Sequence, residues 1–439
     1  MQEFTGEITK YISQKPAPKG FEKTLNMIRD ESLAPEGLEK IRWVKEHMPV
    51  LKNLESTLGK SKPLRGINVA ICLHLEAKTA YMALVLKEAG AGVVITGSNP
   101  LSTQDSIAAG LASRGVEVYA RYNATAEEYK EYLYKTASSA PGLVIDDGGD
   151  LVSLLHKKFP EHLPNVIGAA EETTTGLIRA RAMEKAGALA FPIMAVNDAL
   201  CKYLFDNRYG TGQSVVDGIM RSTNLIIAGK IVVVIGYGWC GKGVAMRANG
   251  MGARVIVCEV EEIKALEAHM DGYEVMPLID AAAEGDIFVT VTGCSKILTE
   301  AHFKAMKDQV ILANAGHFDI EIDKEALAAI TEGPRRVRKD VDAYIFPDGR
   351  RIYLLGEGRL VNLAAADGHP AEIMDMSFAL QVMALKYLSD NAGDLENIVH
   401  PVPAELDKEV ASLKLQGLGI KIDSLTEQQK TYLESWELD

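Results

Sequence analysis

Five strings in this chain of 439 residues hold side chains whose types and spacing could do chemistry. His74 follows a β-rich run, Asp146-Asp147-Gly148-Gly149-Asp150 follows another, and Glu171-Glu172-Thr173-Thr174-Thr175-Gly176 comes next. Lys202, Asp206 and Asn207 are spaced K-x-x-x-D-N, and Gly236-Tyr237-Gly238-Trp239-Cys240-Gly241-Lys242-Gly243 stands further on. Carboxylates, a lysine and a histidine that interrupt apolar runs are the groups general acid–base catalysis draws on. Each string alone has an ordinary structural reading: DDGGD as a turn or cation loop, EETTTG as a helix cap, KYLFDN as a surface helix end, His74 as a satisfied core histidine. Their occurrence in one chain with the glycine-rich string favours a site.

The glycine string has the more specific context. It follows the apolar run KIVVVI and opens a helical pattern, as a dinucleotide-binding turn does. Gly236 permits the tight turn, Gly238 a close backbone approach to a pyrophosphate, and Gly241 close helix–strand packing. N–H groups at the helix start then face the phosphates. Glu259 ends the next β-rich run, 18 residues after Gly241, where a carboxylate can accept both ribose hydroxyls and repel a 2′-phosphate. That selects NAD over NADP. Lys264 either reaches the same ribose or is a solvated lysine.

The elements that must position these groups follow an alternating βα pattern. INVAICLHL (67–75), AGVVITGS (91–98), VEVYA (116–120) and LVIDDGG (143–149) are strands separated by helical stretches such as 78–90 and 105–115. KIVVVIGYG (230–238), ARVIVCEV (253–260), DIFVTVTG (286–293) and DQVILANAG (308–316) form a second series. The fold class is therefore α/β, with two doubly wound parallel-sheet domains. Residues 1–35 look like a peripheral helical arm, residues 38–57 like a helix, Pro347-Asp348-Gly349 like a hairpin turn, and 370–388 like a strong helix returning to the first domain.

Hydrophobic content of 47% with 24% charged residues is that of a soluble globular chain, and a net charge of −13 argues against a nucleic-acid partner. No apolar run is long enough for a bilayer and the N-terminus lacks a signal-like core, so no membrane partner and a cytoplasmic location are expected. Cys72, Cys201, Cys240, Cys258 and Cys294 form no CxxC pair and have no histidines beside them at zinc-ligand spacing. They read as reduced, buried small hydrophobes, and no metal is expected.

The strings resemble the S-adenosylhomocysteine hydrolase family. LSTQD (101–105), DDGGD, EETTTG, the Lys202–Asn207 segment, GYGxxGKG, TGC (292–294), GHFDIEID (316–323) and GRLVNLAAADGHP (358–370) recur in family order, over about residues 60–435. The resemblance implies a substrate domain from residues 36–212 and 371–418, with a Rossmann NAD domain (213–370) inserted into it, and a tail (419–439). It implies that a thioether on C5′ of a nucleoside is cleaved to homocysteine and nucleoside. Oxidation of the 3′-OH with tightly held NAD acidifies C4′–H, elimination and water addition follow, and returned hydride restores the ribose.

By the same resemblance Lys202, with a pKa lowered by burial, and Asp206 flank the 3′-OH, and Glu172 binds ribose hydroxyls. His74 and Asp147 serve the later proton transfers, and His317 and His369 line the cleft. Thr173, Thr174, Thr175, Asn207, Asn362 and the backbone of Ala315, Gly316 and His317 hold the nicotinamide end. Trp239, Cys240, Lys242, Gly243 and Thr292 lie along the cofactor. A homotetramer is implied as well.

The chain departs from the family in two places. Where the commoner string is H-x-T-x-E, it has His74-Leu75-Glu76-Ala77-Lys78. Alternation along a continuing strand would place His74, Glu76 and Lys78 on one side. Adenine offers an amino donor at N6 and an acceptor at N1, whereas hypoxanthine offers an O6 acceptor and an N1–H donor. Lysine only donates and an ionised glutamate only accepts, so this pair complements hypoxanthine and favours S-inosyl-L-homocysteine. The alternative is that Glu76 and Lys78 pair with each other and the substrate is the adenosyl compound. The second departure is the end, TYLESWELD, which lacks the lysine- and tyrosine-containing tail that in many members reaches a neighbouring subunit's NAD. Two other classes compete: a dehydrogenase that releases reduced NAD, which leaves DDGGD, EETTTG and KYLFDN unexplained, and a silent NAD-binding relative, which has no need of all five catalytic residues.

Overall fold

In a computed structural model, residues 26–436 are described. Among the described residues fifteen strands fall into two sheets. The first takes β1 (Asn68–Leu73), β2 (Gly92–Gly97), β3 (Glu117–Tyr119), β4 (Leu143–Asp146), β5 (Gly168–Glu171) and β6 (Ile193–Ala195). The second takes β7 (Ile231–Ile235), β8 (Arg254–Cys258), β9 (Glu274–Val275), β10 (Ile287–Thr290), β11 (Val310–Asn314), β12 (Glu332–Arg338), β13 (Val341–Ile345) and β14 (Arg351–Leu355), while β15 (Val399–Pro401) returns to the first. The orders are β15-β6-β5-β4-β1-β2-β3 and β12-β13-β14-β11-β10-β7-β8-β9. Every pair of the first sheet is parallel. In the second, only the β12–β13 and β13–β14 pairs are antiparallel. The first sheet thus carries the doubly wound 3-2-1-4-5-6 order, and the second, a Rossmann fold, shares its 3-2-1-4-5 part (β9-β8-β7-β10-β11) before β14, β13 and β12; the switch points lie at β1/β4 and β7/β10. This is the expected fold class.

Central strands are buried on both faces, as parallel sheets covered by helices must be: Val69–Leu73, Leu143–Asp146 and Val310–Asn314 are continuous buried runs. The helix Ala371–Asp390 packs its apolar residues into the core of the first sheet, as its sequence suggests. The Pro347-Asp348-Gly349 turn joins antiparallel β13 and β14, with the Gly349 N–H donating to Phe346 O at 2.9 Å.

Three details differ from the reading of the sequence. Residues 38–57 form parts of two helices, Ala34–Glu46 and Pro49–Ser61. Pro49 has no N–H to continue the first helix and forces Met48 out of helical geometry (φ −123°, ψ 69°). Most of the expected N-terminal helical arm lies outside the described residues. Within it, Met27 is extended, its N–H donating to Val118 O at 2.9 Å and its carbonyl accepting from Ala120 N–H at 3.0 Å, because edge strand β3 offers unpaired backbone groups. Finally, the helix Ala126–Ala137, with its Thr125/Glu128 capping box, was not anticipated. Among the described residues no helix is long and apolar enough to cross a membrane.

Candidate active site

The carboxyl ends of both sheets open on one cavity of about 1810 Å³, larger than the roughly 300–1,000 Å³ of ordinary single-ligand pockets. Of the site residues expected from sequence, all but Gly241 and Gly243 line it. Those two stand behind the wall. A Cβ on Gly241 would lie 1.9 Å from Gly236 O, and one on Gly243 would lie 1.7 Å from Arg208 O, so both permit close backbone packing instead.

The polar floor begins after β1 and β4. His74 Nδ1 is 2.6 Å from Ser102 Oγ, and its Nε2 is 3.3 Å from Asp147 Oδ2. Burial holds the His74 pKa below the ordinary imidazole value, against the pull of Asp147. Ser98 Oγ donates to Asp147 Oδ2 at 2.9 Å, while Asp147 Oδ1 is buried without a hydrogen bond. From the second sheet, His317 brings Nδ1 to 3.5 Å from that oxygen. Ligating atoms of His74, Asp147 and His317 lie within 4.8 Å of one another. The loops are tied by Glu171, which accepts from Gly148 N–H (2.9 Å), Thr173 N–H (3.0 Å) and Thr173 Oγ (2.8 Å).

Lys202 occupies the centre. Residues Tyr203–Gly210 are π-helical, so positions five apart share a face. Lys202 Nζ therefore reaches Asn207 Oδ1 at 2.8 Å as well as Asp206 Oδ2 at 3.0 Å, and it stands 3.3 Å from Glu172 Oε1. The expected lowering of the Lys202 pKa is not found. Burial pulls it down, but Asp206 and Glu172 outweigh burial and hold it above the ordinary lysine value. Glu172 moves the other way, pushed up to about 7 by burial despite Lys202. Asp206 stays well below the usual carboxylate range because Lys202 and His369 overcome its burial. His369 Nδ1 pairs with Asp206 Oδ1. Asn207 Nδ2 continues to Asn197 Oδ1 (3.1 Å), and Asn197 Nδ2 to Thr174 Oγ1 (3.1 Å).

Lys78 and Glu76 also line the cavity, but not on a strand. β1 ends at Leu73, and Glu76 caps the helix Ala77–Glu88, its carboxylate accepting from the N–H groups of Lys78 and Thr79 at 3.1 and 3.2 Å. Those two backbone donors are orphans at a helix start, which is why the expected alternation stops. The Lys78 ammonium lies 2.7 Å from Glu76 Oε2 and donates to Asp367 O at 2.9 Å.

The far end of the cavity has the make-up of a dinucleotide site. Gly236 turns at φ +102°, and a Cβ on Gly238 would meet nothing within 4 Å. Glu259 accepts from Tyr237 N–H (2.7 Å), Val260 N–H (2.7 Å) and Glu261 N–H (3.2 Å). Burial opposes its ionisation, but these donors hold its pKa below the ordinary value. Exposed Lys264 lies close enough to add to that effect. Trp239 stacks on Tyr203 with ring centroids 5.0 Å apart, and Lys242 Nζ sits 4.4 Å over the indole. Asn362 Nδ2 donates to Ser214 Oγ at 3.1 Å, which leaves Asn362 Oδ1 a buried acceptor without a partner, suited to a carboxamide N–H. The N–H groups of Ala315 and Gly316 are already committed, to Thr290 O and Asn314 Oδ1 at 2.8 Å each. Thr292 is fixed by its hydroxyl on Glu321 Oε2 at 2.7 Å. Cys240 is half-buried beside Thr211, whereas Cys294 is exposed on the turn after β10, contrary to the reading of all five cysteines as buried.

Sequence reasoning missed Ser377 and Gln381 of the helix Ala371–Asp390. Ser377 Oγ donates to Asp206 Oδ2 at 2.7 Å and Gln381 Nε2 to Glu172 Oε2 at 2.6 Å. Two polar residues one turn apart in an otherwise apolar run were the available signal.

Comparison with known proteins agrees with this geometry. Residues 26–164 match the family model described as S-adenosyl-L-homocysteine hydrolase, and residues 207–368 match that of its NAD binding domain. The chain is 57% identical to the adenosylhomocysteinase of Thermococcus kodakarensis, over 93% of this chain and 97% of that protein. It is 56% identical to the S-inosyl-L-homocysteine hydrolase of Methanocaldococcus jannaschii (93% and 98% covered) and 53% identical to that of Methanothermobacter thermautotrophicus (93% and 98%). The chain belongs to the S-adenosyl-L-homocysteine hydrolase family and is a hydrolase that uses NAD.

Proposed function

We propose that this enzyme reversibly hydrolyses an S-nucleosyl-L-homocysteine to L-homocysteine and a nucleoside, and that it favours S-inosyl-L-homocysteine. The carrying observation is the buried Lys78 ammonium on the cavity wall. Its contacts to Glu76 Oε2 and Asp367 O account for two of its three protons. The third suits the O6 acceptor of hypoxanthine and would oppose the N6 amino donor of adenine. Glu76 is largely saturated by its capping bonds, so discrimination falls on Lys78, with Glu76 holding it in place. Burying an unmatched charged donor costs more than the roughly 1–3 kcal/mol of a neutral group. The adenosyl reading keeps one observation in its favour, the 2.7 Å Glu76–Lys78 ion pair, in which each charge already has a partner.

NAD supplies the transient oxidation at C3′. Glu259 would hold its ribose, the Gly236–Gly241 turn its pyrophosphate, and Asn362, Asn207 and Thr173–Thr175 its nicotinamide end. Lys202 is charged as it stands, so to accept the 3′-OH proton it must first pass one on. Glu172, 3.3 Å away and titrating at about 7, is the group able to take it. His74, neutral at physiological pH, and Asp147 would move the C4′ and water protons, and His317 and His369 would close the cleft.

Residues 36–212 with 371–418 would form the substrate domain and 213–370 the cofactor domain. Residues 419–436 are exposed throughout and carry Ile422, Leu425, Tyr432, Leu433 and Trp436 outward. That apolar tail suits a homo-oligomer in which another copy covers it. Incubation with each nucleosyl-homocysteine and assay of released thiol tests the reading.

A further inference from the structure

The helix Ala371–Asp390 is apolar over most of its buried length, yet Ser377 and Gln381 are wholly buried in it. They stand one turn apart and so project from one face. Polar side chains persist in such surroundings when they are hydrogen-bonded. Ser377 Oγ bonds Asp206 Oδ2 at 2.7 Å, and Gln381 Nε2 bonds Glu172 Oε2 at 2.6 Å. The helix therefore grips, from behind, both carboxylates that flank Lys202.

The Gln381 amide could face Glu172 with either end. An ionised carboxylate only accepts, so Nε2 faces it. Gln381 Oε1 is left buried with no hydrogen bond, and so is Glu172 Oε1, the oxygen turned toward Lys202. One oxygen of Glu172 is thus pinned from the helix while the other is kept free on the cavity side.

We propose that Gln381 is a positioning residue for the reaction: by donating to Glu172 Oε2 it holds that carboxylate ionised and presents Oε1 to a ribose hydroxyl of the substrate. Ser377 likewise donates to Asp206 Oδ2 and favours its ionised form, although both oxygens of Asp206 already have partners. This rests on the ribose role of Glu172 proposed above. The charged groups facing Glu172 are Lys202 and Asp206 from residues 202–206 and Asp147 from the loop after β4. Lys202 favours the ionised form, whereas the two aspartates and burial oppose it, and the Gln381 donor works on the side of Lys202.

The test compares the NAD-loaded wild-type enzyme with Gln381→Met, which conserves volume and removes the donor, and with Gln381→Glu, which places a second carboxyl against the first. The pH profile of kcat/KM and the absorbance of reduced bound NAD on substrate addition are read for each. Gln381→Met should move the acid limb up by about one pH unit, the worth of one charge-assisted hydrogen bond. It should also slow reduction of bound NAD at neutral pH more than at pH 9. Gln381→Glu should move the limb further, since two adjacent carboxyls share a proton, and it reads the same limb if the methionine variant does not fold. An unmoved limb in a folded variant overturns the proposal. Glu172→Gln separates the two layers: normal turnover there removes the ribose role itself, whereas lost turnover there, with unmoved limbs at Gln381, removes only the positioning role.

Discussion

Lys202 and Asn207 are five residues apart in sequence, and Lys202 Nζ lies 2.8 Å from Asn207 Oδ1. An α-helix would turn the asparagine away; the π-helical stretch Tyr203–Gly210 brings it round beside Asp206. Lys202→Met should therefore abolish reduction of bound NAD on substrate addition while leaving NAD bound. Asn207→Ala removes one acceptor from the ammonium and should slow that half-reaction by about 10–100-fold, the range expected for a hydrogen bond to a charged group. Stopped-flow absorbance of reduced bound NAD checks both, and wild-type rates in either variant contradict the assignment.

The pH dependence follows from Glu172. Burial pushes its pKa up to about 7, so the ionised form is lost as pH falls through that value. With the ionised form in the role proposed for it, kcat/KM should fall tenfold per pH unit below about 7. His74, held below the ordinary imidazole value by burial, is neutral above about pH 7 and adds no limb there. In Asp147→Asn, reduction of bound NAD should persist while thiol release is lost. A flat profile between pH 5 and 8 contradicts the role of Glu172.

Glu259 meets three backbone N–H groups, which hold its pKa below the ordinary value, and is proposed to bind the cofactor's ribose. Glu259→Ala should weaken NAD binding by about 10–100-fold, read by equilibrium dialysis on the apoenzyme. Unchanged affinity removes it from the ribose.

Much of this was legible in the sequence because it was local. The glycine turn, the carboxylate after β8 and the alternating βα runs each occupy one short segment. Long-range placement was not legible. The resemblance implies a Lys202 pKa lowered by burial, but the sequence says nothing of a Glu172 oxygen 3.3 Å away. The alternation of His74, Glu76 and Lys78 suggests a continuing strand, yet the Glu76 carboxylate satisfies two helix N–H groups, a capping role for which glutamate is not among the preferred residues. Ser377 and Gln381 gain their meaning only from carboxylates at residues 206 and 172.

The proposed base preference rests on Lys78. Glu76→Thr with Lys78→Glu should turn preference toward the adenosyl substrate. The double change should exceed the sum of the single ones, because each single change leaves a charge unpaired. A double-mutant cycle on kcat/KM for both substrates measures this, and additive effects would place the two side chains away from the base.

The most direct measurement is thiol release by the NAD-loaded wild-type enzyme from S-inosyl- and S-adenosyl-L-homocysteine under identical conditions, with reduced NAD followed in parallel. The account predicts homocysteine from both without net reduced NAD, and a kcat/KM about tenfold or more higher for the inosyl compound, as expected for a mismatched buried donor. Reduced NAD rising in step with product would contradict the internal redox cycle, and equal or reversed efficiencies would contradict the role of Lys78.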